Sequence, residues 1–259
     1  MDKTSLGDRM KAYENIERKY LTRRLPTLIR VDGSHFHSYT RKFEKPFDQS
    51  FLSCMRGTAQ MLCENIMGAK LAYTQSDEIS LLLTDDDALE TDAWFGKNLQ
   101  KMVSVSAAMA TVFFNGFVKD KVKLGIASEG LESAYYENIA AFFDARAFVL
   151  PHAEVLNYFV WRQQDCIRNA IQMVGHANFS QKELTHKSCK DIEEMLARKG
   201  VGMENYLLAE RRGVCIKKKD FARPTPEGEW THSNVWAPDY AIPIFHESPD
   251  YINDLVYHR

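Results

Sequence analysis

The chain has 259 residues, 45% hydrophobic and 26% charged, enough for one or two globular domains with a real core. A net charge of −2 sets aside a strongly basic nucleic-acid binder, leaving room only for a local basic face. Five cysteines without a C-x-x-C spacing (Cys54, Cys63, Cys166, Cys189, Cys215) suggest neither a disulfide framework nor a zinc site, and read as reduced thiols of a cytoplasmic protein.

The opening MDKTSLGDRMK lacks the apolar core of a signal peptide. No apolar run reaches about 18 residues, so no membrane partner is expected. Ser5 to Leu21 reads as a helix capped by Thr4 or Ser5, with Met10, Tyr13, Ile16 and Tyr20 on one face. A first strand, Thr27 to Asp32, ends in a carboxylate followed by Gly33. The next stretch, SHFHSYTRKFEKPFD, is aromatic, basic and too irregular for a helix. Pro46 and Asp48 then introduce a helix, Gln49 to Met67, that Gly68 stops.

LAYTQSDEISLLL, Leu71 to Leu83, follows. Two apolar runs flank a polar core, which predicts a hairpin with its acids at or near the turn. Asp85-Asp86-Asp87 reads as a solvated loop. A long helix is expected from Thr91 to Phe117, small and apolar nearly all round and so buried against a sheet. Residues 118–140 are read as a loop. A fourth strand covers Ala145 to Leu150, and a helix Glu154 to Val174. The order is βαββαβ, an α+β class, with a ferredoxin-type antiparallel sheet covered by helices on one face. This gives a catalytic domain over 1–175 with its N-terminal helix, and a more polar α/β lobe and tail over 176–259. That lobe holds a helix, Lys190 to Arg198, and a strand, Gly213 to Lys218. The run APDYAIPIFHESPD reads as irregular.

In a βαββαβ sheet the first and third strands are central neighbours, so Asp32 and Asp77 can meet. Two such carboxylates suit Mg²⁺, a hard ion that completes its shell with phosphates and water. On spacing alone, both aspartates read equally well as turn residues. A polar QSDE cluster inside strong strand patterns favours the metal. The N–H groups of Gly33, Ser34, His35 and Phe36 are candidates for an anion-binding nest. Lys45, Lys97 and Lys101 are candidate phosphate ligands, although a single lysine is more often a solvated charge. His35 and His37 alternate along an extended segment and, with no third ligand, read as packing or phosphate contacts. In WRQQDCIRN, Arg162, Asp165 and Asn169 share a helical face. That face is either a structural Asp–Arg pair or a surface for RNA or nucleotide. Arg211-Arg212 and Lys217-Lys218-Lys219 form a basic patch suited to an RNA backbone.

These blocks resemble the tRNA-His guanylyltransferase superfamily, the 3′–5′ polymerases, and are closest to its bacterial, archaeal and phage like-protein branch. The matching stretches are RVDGSHFHSYTRKFEKPFD, AYTQSDEISLLL, FDARAFVLP, WRQQDCIRNAI, FSQKELTHKSCKDIEEML, RRGVCIKK and IPIF. The resemblance implies a palm-like domain with two Mg²⁺ ions on Asp32, the Gly33 carbonyl and Asp77, flanked by Ser76 and Glu78. It implies a triphosphate held near His35, Phe36, His37, Lys45 and Lys101. RNA contacts are expected at Arg162, Asp165, Arg168, Asn169, Arg211 and Lys217. ATP would activate the 5′ end of a tRNA, and a GTP or other nucleoside triphosphate would then be added there. A homo-tetramer is expected. Ile167-Arg168-Asn169-Ala170 stands where eukaryotic members carry a His-Ile-Asn-Asn-like run. The missing histidine implies templated repair of various tRNAs rather than strict tRNA-His specificity. Asn98 stands where those members have a basic residue. The rival readings are a palm-fold nucleotide cyclase and a non-catalytic RNA-binding module.

Overall fold

The computed structural model describes residues 4–224 and 230–257. Its centre is β1 (Thr27–Ser34) beside β3 (Glu78–Leu83), with β2 (Ala69–Gln75) next to β3 and β4 (Phe142–Val149) on the outer side of β1. All these pairs are antiparallel, and the order β4-β1-β3-β2 is that expected of βαββαβ. Two further strands, β5 (Val214–Pro224) and β6 (Trp230–Asp239), extend the same sheet beyond β2. The first part of β5 reads as a strand from sequence. The pairing of β6 with β5 does not, because its polar, Pro-containing run carries no alternation.

Helices cover both faces of the sheet, which corrects the expectation of one covered face. Ile29, Val31, Ala72, Ile79 and Leu81 point to one side, where they pack with Met55, Ala59 and Leu62 of α3 (Gln49–Asn65) and Phe114 of α4 (Leu99–Lys123). Leu28, Leu71, Tyr73 and Leu82 point to the other, against Val155, Tyr158 and Phe159 of α6 (Val155–Asn178) and Ile252 of α10 (Asp250–Tyr257). All six residues of β3 are buried, as expected of a strand sandwiched on both sides. Truncating one of these leucines to alanine costs about 2–5 kcal/mol.

Several element boundaries move for identifiable reasons. The first helix, α1, runs Ser5–Ile16 with Thr4 as its cap. It stops short of Leu21 because Lys19 to Leu21 pair with Lys97 to Leu99 instead. The stretch taken as irregular folds into a short helix, α2 (Phe36–Tyr39), and a 3₁₀ turn, Thr40–Lys42, pinned by the buried Phe36, Tyr39 and Phe43. Asp48 caps α3 through Phe51 N–H, as its position predicts. Helix α4 starts eight residues later than Thr91, because Phe95, Gly96 and Lys97 take positive φ; Asn98 caps it. It runs on to Lys123, and α5 (Glu129–Tyr136) occupies much of the segment read as a loop. By length and composition alone helix α4 is apolar enough to cross a membrane. Here it lays Met102, Ser106, Ala110, Phe114, Val118 and Val122 into the protein.

Beyond α6, α7 (Gln181–Leu184) and α8 (Cys189–Arg198) pack on its C-terminal half through Ile171, Val174, Leu184, Ile192 and Leu196. A short α9 (Leu208–Arg212) leads into β5. The tail is irregular from Tyr240 to Pro249 and then forms α10.

Candidate active site

Gln75 pairs with Glu78, so β2 and β3 are joined by a two-residue turn, Ser76-Asp77. Ser76 takes the left-handed φ of 48° that tight hairpins need. Glu78 lies directly opposite Asp32 in the β1–β3 register, so their side chains share a face. The turn is fastened to β1 where Gly33 N–H donates to the Asp77 carbonyl at 3.1 Å. Gly33 is required because a Cβ there would overlap the Phe36 ring. Asp32 and Asp77 thus come together at one end of the central strands.

The electrostatics single out Asp77. Burial, with the nearby charge of Asp32, pushes its carboxyl above the ordinary range. Neither aspartate makes an ion pair among the described residues. Burial also raises Glu78, although Arg162 and Arg30 lean the other way. Arg162 Nε lies 2.9 Å from Glu78 Oε1, close enough for an ion pair but not aimed as a hydrogen bond. Arg30 Nε stands 3.9 Å from Glu78 Oε2.

No group of three or more His, Cys, Asp or Glu placed to hold a metal forms among the described residues. Two carboxylates without a cation still fit Mg²⁺, which keeps several waters and takes its other oxygens from substrate phosphates. A softer metal needing a closed cage of His or Cys does not fit.

A cavity of about 250 Å³ opens beside this pair, lined by Phe36, His37, Thr40, Phe43, Glu44, Lys45, Pro46, Asp48, Ser76, Asp77 and Met173. Lys45 Nζ reaches the Thr40 carbonyl at 3.3 Å and is otherwise exposed. Ser76 also borders a second, more apolar cleft between α3 and α6 that includes Asn169.

Other expected residues sit elsewhere. The proposed nest loses one of its four N–H groups. Gly33 N–H is spent on Asp77, and His35 is a left-handed residue (φ 59°) at the start of α2. His35 and His37 are therefore not on one extended face; His37 borders the cavity and His35 does not. Ser34 bonds His35 Nδ1 at 3.0 Å. Phe36 is core, ringed by Tyr39, Phe51, Phe114 and Phe143. Lys101 lies over Phe95, at the end of the sheet where Thr27 meets Leu83. That end is about 17 Å from Asp32, at roughly 3.3 Å per residue. Lys97 is buried there and bound to Asp85, Thr22 and Leu25.

Arg162 is buried and bound to Glu78 and, at 2.5 Å, to Asp165. Asp165 in turn holds Arg168 at 2.6 Å and Asn169 at 3.4 Å. Of this group Arg168 is the exposed charge. Gln163 of the same motif grips the tail, donating to the Pro243 carbonyl and accepting from Phe245 N–H. Lys217 is held by Asp239 at 2.7 Å and by the Tyr251 ring, so its ammonium is already engaged, whereas Arg211 is half-buried with an unpaired Nε.

Sequence reasoning missed Arg30, Asp48, Asp144 and Arg146. Arg30 was findable: it lies two residues before Asp32 on a strand, and so on the same face. Asp48 was read only as a cap, yet it lines the cavity and accepts a hydrogen bond from Ser128 at 2.6 Å. Asp144 faces Asp32 directly across the β1–β4 pair, and Arg146 faces Arg30.

The family model described as tRNAHis guanylyltransferase (Thg1) matches residues 7–151. A solved bacterial tRNA(His) guanylyltransferase (Thg1)-like protein in complex with ATP superposes with a TM-score of 0.84. It is 41% identical, and the match covers 98% of this chain and all of that one. Such a protein in complex with GTP gives 0.80 at 40% identity. The tRNA(His) guanylyltransferase of Schizosaccharomyces pombe is 32% identical over 161 residues, 61% of this chain and 54% of that enzyme. The chain thus spans about half the length of that relative. The mixed α/β fold with its six-stranded antiparallel sheet matches the bacterial structures, and the chain belongs to the tRNA-His guanylyltransferase family of nucleotidyltransferases.

Proposed function

We propose that this protein adds nucleotides to the 5′ end of tRNA in the 3′–5′ direction, directed by a template strand, as in tRNA 5′-end repair. A palm-like domain would carry the reaction. The observation that supports this most is the meeting of Asp32 and Asp77 beside a nucleotide-sized cavity bearing Lys45 and His37. The 5′ end is first adenylylated from ATP with release of pyrophosphate. The 3′-hydroxyl of the incoming nucleotide then attacks the activated phosphate and AMP leaves.

Asp32, the Gly33 carbonyl and Asp77 are the proposed ligands of two Mg²⁺ ions. Bound there, the ions supply charge neutralisation and a more acidic attacking hydroxyl. The protein's own groups position and neutralise, which is most of what phosphoryl transfer asks of an enzyme. Lys45 offers its ammonium to a triphosphate in the cavity. Arg162 holds Glu78 in place, and Glu78 supports the end of β3 from which Asp77 projects. Asp48, held by Ser128, presents a polar edge to the cavity where a base can be read.

We further infer a homo-tetramer. Helix α1 buries none of its residues within this chain and displays Leu6, Met10, Tyr13 and Ile16, a face that a second copy would cover.

The test is incubation with 5′-truncated tRNAs, ATP, Mg²⁺ and labelled GTP. Extension at the 5′ end is expected. Its absence across a panel of tRNAs would overturn the reading, and a monomer by light scattering would overturn the assembly.

A further inference from the structure

The Asp32–Asp77 pair has two sides. Toward β2 and α2 lies the cavity with Lys45. Toward β4 lies an open surface that the reaction as described leaves unused. Asp144 and Arg146 stand opposite Asp32 and Arg30 in the β1–β4 register, and Phe142 stands opposite Ser34. Residues directly opposite share a face, and alternate residues along a strand share it too. Phe142, Asp144 and Arg146 therefore form one row on the face that carries Asp32. Helix α6 covers this face further along, where Tyr158 meets Phe148, but not here. Phe142 is 62% exposed, and the Asp144 and Arg146 side chains are 56% and 55% exposed.

Three features mark the row as a seat for a ligand. An exposed phenylalanine on an edge strand next to catalytic carboxylates is poorly explained by packing, because it packs on nothing that buries it. Asp144 holds Arg146 only loosely, at 3.6 Å, and an exposed pair of that kind is worth about 0–1 kcal/mol. The guanidinium is thus free to turn to a stronger anion. Finally, Arg146 is a diagonal neighbour of Asp32, about 7–8 Å away backbone to backbone, within a side chain's reach of a phosphate held at that carboxylate.

We propose that Arg146 and Phe142 seat the 5′-terminal nucleotide of the RNA: Arg146 binds the 5′-phosphate and Phe142 stacks on the terminal base. The proposal deepens the function given above and rests on it for the identity of the polymer. A cavity of about 250 Å³ suits a free nucleotide, whereas an open edge strand sets no limit on what extends past it. A terminal base has one bare face for an aromatic ring to cover, and a guanidinium matches a terminal phosphate with two donors.

The experiment compares binding, in Mg²⁺, of a short RNA hairpin bearing a 5′-monophosphate and its 5′-hydroxyl twin by fluorescence anisotropy. Wild type is expected to favour the phosphorylated RNA by about tenfold. Arg146→Gln should erase that preference, Arg146→Lys should restore part of it, and Phe142→Ala should weaken both RNAs alike. ATP affinity should not change in any variant. No preference in wild type, or a preference retained in Arg146→Gln, would overturn the proposal. So would a loss confined to ATP, which would place a free nucleotide on this surface, or a changed oligomeric state on size exclusion with RNA binding intact. Binding needs no turnover, so failure of 5′ extension would sink the proposed function while leaving this readout interpretable.

Discussion

The two ends of the central strands each carry a shielded acidic group, buried Asp85 at one and half-buried Asp77 at the other, and the chain treats them in opposite ways. At the end where Thr27 pairs with Leu83, Asp85 is almost fully buried, but Lys97 Nζ lies 2.9 Å from it, Arg23 Nε 2.6 Å and Arg24 N–H 3.0 Å. Burial works to raise its carboxyl, yet the bonds from Lys97, Arg24 and Arg23 outweigh that and hold it below the usual range. At the other end, burial and Asp32 raise Asp77, and among the described residues no cation pairs with it. A structural carboxylate has its counter-ions built in, whereas a site carboxylate leaves that place for something that arrives. Phosphoryl transfer needs such an arrangement, since the ion and the phosphates must come and go.

The largest expected effect separates the ends by activity. Asp32→Ala and Asp77→Ala should each lower nucleotide addition by more than the roughly 10–100-fold lost when a residue that merely supports a metal ligand is changed. Near-normal turnover in either variant would dissolve the contrast. Asp85→Asn, by comparison, should keep its activity per folded molecule. It should lose about 3 kcal/mol of stability in urea, because Lys97 is left buried with a charge and no counter-ion.

Stability reverses the ranking. A carboxyl whose folded pKa is raised stabilises the protein below its unfolded pKa, and that contribution is lost as pH rises through the folded value. For Asp77 the loss falls above the ordinary aspartate range, so at neutral pH, without metal, the charge is a liability. Asp77→Asn should therefore melt higher than wild type in chelator. Mg²⁺ should raise the melting temperature of wild type and not of the variant. Asp85 has the opposite sign: its contribution is present above the unfolded pKa and disappears as pH falls through the lowered folded value. Asp85→Asn should flatten the acid limb of the stability curve. A variant at position 77 that melts lower in chelator would show that Asp77 is held by something the contrast omits.

Arg162 joins the two kinds of behaviour. It is buried like the Asp85 cluster, yet its partner Glu78 faces Asp32. Arg162→Met should cost both about 3 kcal/mol of stability and roughly 10–100-fold in activity. If activity per folded molecule were unchanged, Glu78 would belong to the structural end.

The backbone of this site was legible in the sequence because alternation and turn chemistry are local. LIRVDG and QSDEISLLL put Asp32 at the end of one central strand and Asp77 at the turn that leads into its neighbour. Cover on both faces was half-legible in the nearly continuous apolar run ISLLL of β3. What stayed hidden depends on where side chains go in three dimensions. Arg162, Lys97 and Lys217 read as available cations, but each spends its charge on an acid distant in sequence (Glu78, Asp85 and Asp239). Position along a chain does not say whether a lysine is already taken. The row of Phe142, Asp144 and Arg146 was hidden for the same reason, since FDARAFV reads as a strand while its neighbour across the sheet is set by register.

The two lysines expected to bind phosphate give the smallest and most discriminating test. Lys45 lines the cavity beside Asp77 and has only a carbonyl for company. Lys101 stands over Phe95 at the end of the sheet that holds Asp85. Opposite charges beyond about 10 Å are largely screened at 0.1 M salt, so an ammonium some 17 Å away along β1 contributes almost nothing to a triphosphate at Asp77. Lys45→Ala should raise the ATP KM, by about tenfold if one charge-assisted contact of roughly 1.5 kcal/mol is lost. Lys101→Ala should leave that KM within about twofold of wild type. Measured side by side, equal losses would mean that the site extends the whole length of the strands. A loss at Lys45 alone would confine it to the end where Asp32 and Asp77 meet.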